Sequence, residues 1–276
     1  MIYPELLQDA NDQLVQRLIG DANYVWQEKF NGDRRLVEKS GDRIVDYNRH
    51  GERGKGLSPN IITALRKHPL HQFVIDTEFC GHEDKLHIFD ALHLGDYNLV
   101  NEKYRTRLDY IHAGFDGFHA DIVPIQSAFT PEGKLALYQR LQDEFAEGFV
   151  MKDLNAKYRQ SNPSGSLRYN YRYKFVKELD AVVIGDTTER DDKGMLKNSV
   201  RLGLYMPNGF LKDICGATKK SSFVLKPMDV VEIIYLYGTG TYDVVQPRIK
   251  RLRDDKRAHE CSINQIVVNK NWRKKS

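Results

Sequence analysis

The chain is broken into short strand-like runs, and none of its apolar segments is long. Residues 23–30, 35–38, 44–47 and 73–79 are brief and rich in β-branched and aromatic side chains, which suits a pleated, half-buried surface. Helical spacing of apolar residues is confined to 5–19, 59–68, 101–111 and 132–146. Pro59 and Pro131 stand near two of those starts, where proline is tolerated. Residues 173–184 read as a further strand ending at Gly185. The stretch GDTTERDDKG that follows is rich in turn formers and predicts a linker or the first loop of a second domain. Beyond it, strands are expected at 199–206, 210–214, 230–237 and 242–253. That density of short strands fits a small barrel such as the OB-fold, and a sandwich fits as well. The pattern therefore predicts an α+β chain. Residues 1–185 would form antiparallel sheets with helices, and 186–276 a small OB-fold β-barrel.

Composition removes several classes. No apolar run approaches the ~20 residues that span a bilayer. A hydrophobic fraction of 41% with 29% charged residues is that of a soluble globular protein. The start, MIYPELLQDANDQ, lacks the basic opening and apolar core of a secretory signal. Cys80, Cys215 and Cys261 are odd in number and widely spaced, which argues against a disulfide framework or a four-cysteine zinc site. A reducing cytoplasm (a host's, for a viral protein) is the expected compartment, and a monomer the expected state. The net charge of +4 is unevenly spread, with 18 basic and 11 acidic side chains in residues 185–276. A basic C-terminal third suggests contact with a polyanion, although charge alone fits a solvated lysine-rich surface equally.

Charged groups recur where these strands end. Lys29 lies in EKFNGDR, between two strand-like runs and beside Gly32, so it sits at a tight turn. Asp76 and Glu78 in FVIDTEF fall on one face of a strand, because side chains alternate. Glu147 and Lys152 bound EGFVMK, Arg172 and Lys174 flank Tyr173, and RDDK occupies 253–256. Each alone is an ordinary strand-edge charge. Their order along one chain is informative.

Together these segments resemble the covalent nucleotidyltransferase family, which contains ATP-dependent DNA ligases, RNA ligases and messenger-RNA capping enzymes. The resemblance extends from Lys29 to Lys256 and follows the family order KxDGxR, D/E-G-E, an aromatic before FD, EGxVxK, KxK and RxDK. It implies an adenylation domain followed by an OB-fold domain, in the minimal two-domain form. Lys29 matches the nucleophile that forms lysyl-AMP. Arg34 matches the arginine near the ribose and phosphate, with Glu28 beside the nucleophile counted in the nucleotide site. Glu78 matches the acidic residue that helps place the ribose or the metal, and Glu147 the metal-supporting carboxylate, with Asp76 a further candidate for that shell. Phe89 in HIFDAL matches the aromatic that stacks on adenine. Lys152, Arg172 and Lys174 match phosphate ligands, and Arg253, Asp255 and Lys256 match the RxDK that orients pyrophosphate. Three positions depart from the pattern: Asn31 for Asp, Thr77 for Gly and Arg172 for Lys. None removes a group that the chemistry requires.

The physical chemistry is consistent with this resemblance. An amine attacks only when unprotonated, against an ordinary value of about 10.4, and neighbouring cations favour the neutral form. The same cations stabilise charge developing on the α-phosphate. Carboxylate oxygens from Glu78 and Glu147 suit Mg²⁺. Only 28 residues precede Lys29 and no CxxC is present, so ATP is expected rather than NAD. Arg49 in YNRHG resembles the ligase arginine that meets the nucleic-acid backbone, which favours a DNA ligase over a capping-type guanylyltransferase. An intact RDDK counts against an RNA ligase. From another class, an OB-type binding protein would predict damage at the nucleophile or carboxylates, and none is present. The expected partner is nicked duplex DNA, with Lys219, Lys220, Arg248, Lys250 and Arg251 as phosphate contacts beside Arg49. Repair, replication and recombination are the processes such an enzyme serves.

Overall fold

The computed structural model describes residues 4–54, 56–159, 169–187, 194–195, 197–219 and 224–269. Lys220, the tail from 270 and most of the expected linker lie outside the described residues. The first unit, Met1–Tyr173, runs β1 (Gln8–Asp9), α1 (Asp12–Ile19), β2 (Tyr24–Glu28), β3 (Asp33–Ser40), β4 (Arg43–Tyr47), α2 (Pro59–Arg66), β5 (Gln72–Cys80), β6 (Lys85–Leu94), β7 (Tyr97–Asn98), α3 (Tyr104–Phe115), β8 (Ile122–Pro124), β9 (Ser127–Ala128), α4 (Pro131–Asp143), β10 (Gly148–Asp153) and β11 (Tyr171–Lys174). The second unit, Lys174–Ser276, holds β12 (Lys177–Asp186), β13 (Ser199–Tyr205), β14 (Leu211–Thr218), β15 (Val230–Tyr235) and β16 (Arg248–Leu252).

Two sheets build the first unit. One has the order β1-β11-β10-β2-β9, the other β4-β3-β5-β6-β7, with β8 pairing in parallel to β6. Helices α2 and α3 cover the second sheet, where Ile61, Leu65, Ile111 and Phe115 pack with Val37, Phe73, Ile75, Leu86 and Ile88. On the first sheet Trp26 stacks on Phe149 with ring centroids 4.5 Å apart. The cross-strand neighbours there run from Phe149↔Glu28 to Asp153↔Tyr24. That register carries β2 and β10 out together, so Lys29 and Glu147 emerge at the same sheet end.

The helix expected over 5–19 begins only at Asp12. Asn11 takes the cap position, accepting from Leu14 N at 3.0 Å, and capped starts of this kind fix a boundary. Residues 8–9 instead pair in parallel with β11. Buried Lys134 on α4 donates to the carbonyls of Leu18, Ile19 and Asp21 at 3.2, 3.1 and 2.8 Å, satisfying the end of α1.

In the second unit the strands form one antiparallel sheet of order β14-β13-β12-β15-β16. Among the described residues that sheet does not close into a barrel. The boundary expected at 185/186 is displaced to between Tyr173 and Lys174. The reason is β12, which pairs along its length with β15 and β13 and so belongs to the second sheet. The core of this unit is made by Val182, Leu202, Val231, Ile233 and Tyr235.

Candidate active site

The turn after β2 is fixed from three sides. Lys29 N donates to the Gly148 carbonyl at 2.9 Å. The Phe30 ring stacks on His87, with centroids 3.6 Å apart and planes 12° from parallel. Gly32 N donates to Glu78 Oε1 at 3.2 Å, and a Cβ at Gly32 would lie 2.5 Å from the Phe79 carbonyl oxygen. Only glycine can sit that close to backbone. The Lys29 amine then lies 2.9 Å from Glu147 Oε2. Glu147 is placed by the end of α4, where Glu144, Phe145 and Ala146 N–H groups bond back to Arg140, Gln142 and Leu141 carbonyls. Its side chain is 2% exposed, against 21% for Lys29.

Glu78 completes this corner. Burial pushes its carboxyl up to about 7, against the downward pull of Lys29, Arg34 and the Gly32 N–H, while Glu147 adds to the rise. Glu78 and Glu147 thus both draw on the Lys29 amine. A hard divalent cation would relieve them, and their oxygen donors fit Mg²⁺ held jointly with phosphates and water.

Phe89 reaches the site because the strand pairing slips. Asp76 faces Asp90 and Thr77 faces Ile88, leaving Phe89 as the extra residue of a β-bulge, a device that re-aims a side chain. Its carbonyl accepts from Tyr104 Oη at 2.9 Å, and Tyr104 accepts from Gln27 at 2.7 Å. Two cations flank its ring: the Arg34 guanidinium carbon at 5.2 Å from the centroid and Lys152 Nζ at 5.7 Å. Arg34 forks onto Asp76 at 2.9 and 2.6 Å. Asp76 is fully buried and also accepts from Tyr158 Oη, so it grips Arg34 and is not free for a metal shell.

Lys152 sits deeper than a simple phosphate ligand would. Its amine is 2.6 Å from Asp90 Oδ2 and 3.8 Å from the Tyr104 ring centroid. Arg107, itself fully buried, takes the other side of Asp90 at 2.7 and 3.1 Å. Burial alone would raise Asp90, yet Lys152 and Arg107 hold it at about 2.

The remaining candidates make other contacts, each within its own unit. Glu28 alternates to the opposite strand face from Lys29 and pairs with Arg140 at 3.2 Å. Arg49 lies on the turn after β4, its Nε 3.0 Å from His50 Nε2. Arg172 pairs with Asp9 at 2.6 Å. Lys174 belongs to the second unit and donates to Gln246 at 3.0 Å. Within that unit Arg253 forks onto Asp255 and also reaches Asp180 at 2.8 Å, where Lys256 joins at 2.7 Å. The expected phosphate contacts are largely engaged with acids: Lys250 with Glu178 at 2.6 Å, Arg251 with Glu232 at 2.8 Å and Lys219 with Asp186, while Arg248 is exposed.

Sequence reasoning passed over Glu5, Gln27, His87, Asp90, Arg107 and Tyr158. Asp90 carried a signal, as the acid directly after Phe89. The others sit in segments without a recognisable spacing.

No protein-family profile matches the sequence. DNA ligase C1 of Mycolicibacterium smegmatis is 25% identical over 246 residues, which is 77% of this chain and 68% of that protein. Among solved structures, a mycobacterial DNA ligase D complexed with ATP has a TM-score of 0.53 at 16% identity, covering 94% of this chain and 97% of the other. A Lig E DNA ligase has a TM-score of 0.60 at 12% identity, covering 92% and 100%. The chain is a relative of the ATP-dependent DNA ligases. Its mixed α and antiparallel β architecture is the fold of their catalytic domains. Among the described residues, no helix of this ligase relative is long and apolar enough to cross a membrane.

Proposed function

We propose that the chain is an ATP-dependent DNA ligase that seals nicks through a covalent AMP on Lys29. The observation that carries this reading is the Lys29 amine, 2.9 Å from Glu147, in a fold shared with DNA ligases. The related ligase D complexed with ATP supports ATP as the nucleotide.

In the first step the neutral Lys29 amine attacks the α-phosphorus of ATP. A P–N bond forms, the bond to the β-phosphate oxygen breaks, pyrophosphate leaves and the amine loses a proton. Glu147 orients the amine by accepting its hydrogen bond, and the turn pinned at Gly32 by Glu78 keeps it from swinging away. Mg²⁺ held by Glu78 and Glu147 would neutralise phosphate charge. Phe89 offers an apolar face to adenine between Arg34 and Lys152. AMP then passes to the 5′-phosphate of the nick, regenerating Lys29, and the 3′-hydroxyl displaces AMP to form the phosphodiester.

The second unit is the OB-type domain of this reading. Arg253 and Lys256 leave Asp180 to meet the pyrophosphate, while β16 and Arg49 engage the duplex backbone. Contacts to phosphate position DNA without reading sequence, which suits sealing at any nick in repair, replication or recombination. A nick-sealing assay with DNA and RNA strands permuted tests the substrate. Sealing of all-DNA nicks with ATP is expected; a GMP adduct and no sealing would instead select a capping-type enzyme.

A further inference from the structure

The Tyr158 hydroxyl closes a ring of hydrogen bonds around the Arg34 guanidinium. Tyr158 Oη donates to Asp76 Oδ2 at 2.7 Å. Asp76 accepts both forks of Arg34 at 2.9 and 2.6 Å. Arg34 Nη1 donates to the Glu5 carbonyl at 2.5 Å, and Glu5 N returns to Tyr158 Oη at 3.3 Å. The four residues come from four segments: the arm before β1, strand β3, strand β5 and the chain after β10.

The ring is built, not incidental. Tyr158 is 5% exposed and packs with Leu36 and Leu92. Burial, and then Asp76, keep its phenol well above its ordinary value, so it remains a donor at any working pH. The arm is itself tied down, since Asn170 Nδ2 donates to Glu5 Oε2 at 2.9 Å and Gln8 N donates to the Asn170 carbonyl at 3.1 Å. A carboxylate can rotate while still holding a guanidinium. A second donor on Oδ2 stops that rotation and so fixes the plane of the fork.

We propose that Tyr158 is a positioning residue of the nucleotide site, holding Asp76 and, through it, Arg34 beside the Phe89 ring in the orientation that meets the ribose and α-phosphate. This rests on the ligase reading of Lys29 and adds to it a residue outside the segments matched to the family order. The hydroxyl bonds Asp76 and the Glu5 N–H and so acts through Arg34, and its removal is expected to alter nucleotide affinity more than the chemical step.

Tyr158→Phe tests the assignment, since it deletes the hydroxyl and keeps the ring packed against Leu36, Leu92 and the Arg107 guanidinium 5.7 Å away. In self-adenylylation with ATP labelled at the α-phosphate, KM for ATP is expected to rise about 5- to 10-fold, with the maximal rate within about threefold of wild type. In an Arg34→Ala background the same change is expected to alter KM by less than about twofold, because its route is already cut. Tyr158→Met, which also lacks the hydroxyl, repeats the measurement if the Phe variant folds poorly. A KM within twofold of wild type, or an equal loss in both backgrounds, overturns the role of Tyr158 while leaving Lys29 as nucleophile. A wild-type protein that takes no label from ATP overturns the ligase reading itself, and the assignment with it.

Discussion

Asp90→Asn removes one negative charge from a buried site where two cations meet, with Glu5 the other acid within their reach. Asp90 is fully buried and accepts from Arg107 at 2.7 and 3.1 Å, from Lys152 at 2.6 Å and from the Ala91 N–H at 2.9 Å. Its carboxyl lies at about 2, below its ordinary 3.8. At about 1.4 kcal/mol per unit, neutralising it costs roughly 2 kcal/mol more in the folded than in the unfolded chain. Breaking a buried pair by removing one partner costs about 3–5 kcal/mol, because the stranded cations stay desolvated. The expected loss is therefore about 3 kcal/mol. In urea, with a slope of about 2 kcal/mol/M, the midpoint should fall by more than about 1 M. The pH dependence has a definite sign. A depressed carboxylate stabilises fully above its unfolded value and loses that contribution as pH falls through its folded one. The gap between wild type and variant should thus be constant from neutrality down to the ordinary carboxylate range and close toward pH about 2. A midpoint within about 0.2 M of wild type would refute the reasoning, as would a gap that widens on acidification.

Three further outcomes follow from the same geometry. Gly32→Ala should cut adduct formation more than about tenfold, because its Cβ would lie 2.5 Å from the Phe79 carbonyl; unchanged labelling would show that the turn shifts freely. Glu78 has a folded value raised to about 7 from 4.5, so its ionisation weakens the fold as pH rises through 7. Glu78→Gln should accordingly be the more stable protein at pH 8, by about 3 kcal/mol, yet fail in Mg²⁺-dependent adduct formation; thermal melts at pH 5 and 8 decide the first part. Lys256→Ala should slow self-adenylylation more than sealing of a pre-adenylylated nick, and equal losses in both assays would assign the residue to stability alone.

The order of charged segments made the corner around Lys29 legible, because KFNGDR, DTE and EGFVMK each carry their chemistry in a contiguous turn or strand end. Strand β6 was not expected, although Phe89 was singled out within it. Its apolar and polar residues do not alternate cleanly, since two register shifts interrupt the pairing with β5, and a bulge leaves no period-2 trace. The helix over 5–19 was too long because periodicity does not register a cap such as Asn11. The ring of Tyr158, Glu5, Asp76 and Arg34 spans 153 positions of sequence, and no spacing rule reaches that far. The boundary between the two units was set too late, since β12 reads as a continuation of β11 until its partners in the second sheet are known.

The central claim is that Lys29 carries AMP on its way from ATP to a nick. The most direct test is a pulse and chase. The protein is labelled with ATP bearing isotope at the α-phosphate, the adduct is mapped by mass spectrometry after proteolysis, and unlabelled nicked duplex is then added. We predict label on the peptide containing Lys29, none in Lys29→Ala that melts like wild type, and transfer of label to the 5′-phosphate before free AMP appears. Label on another residue, or an adduct that nicked DNA cannot discharge, would contradict the account.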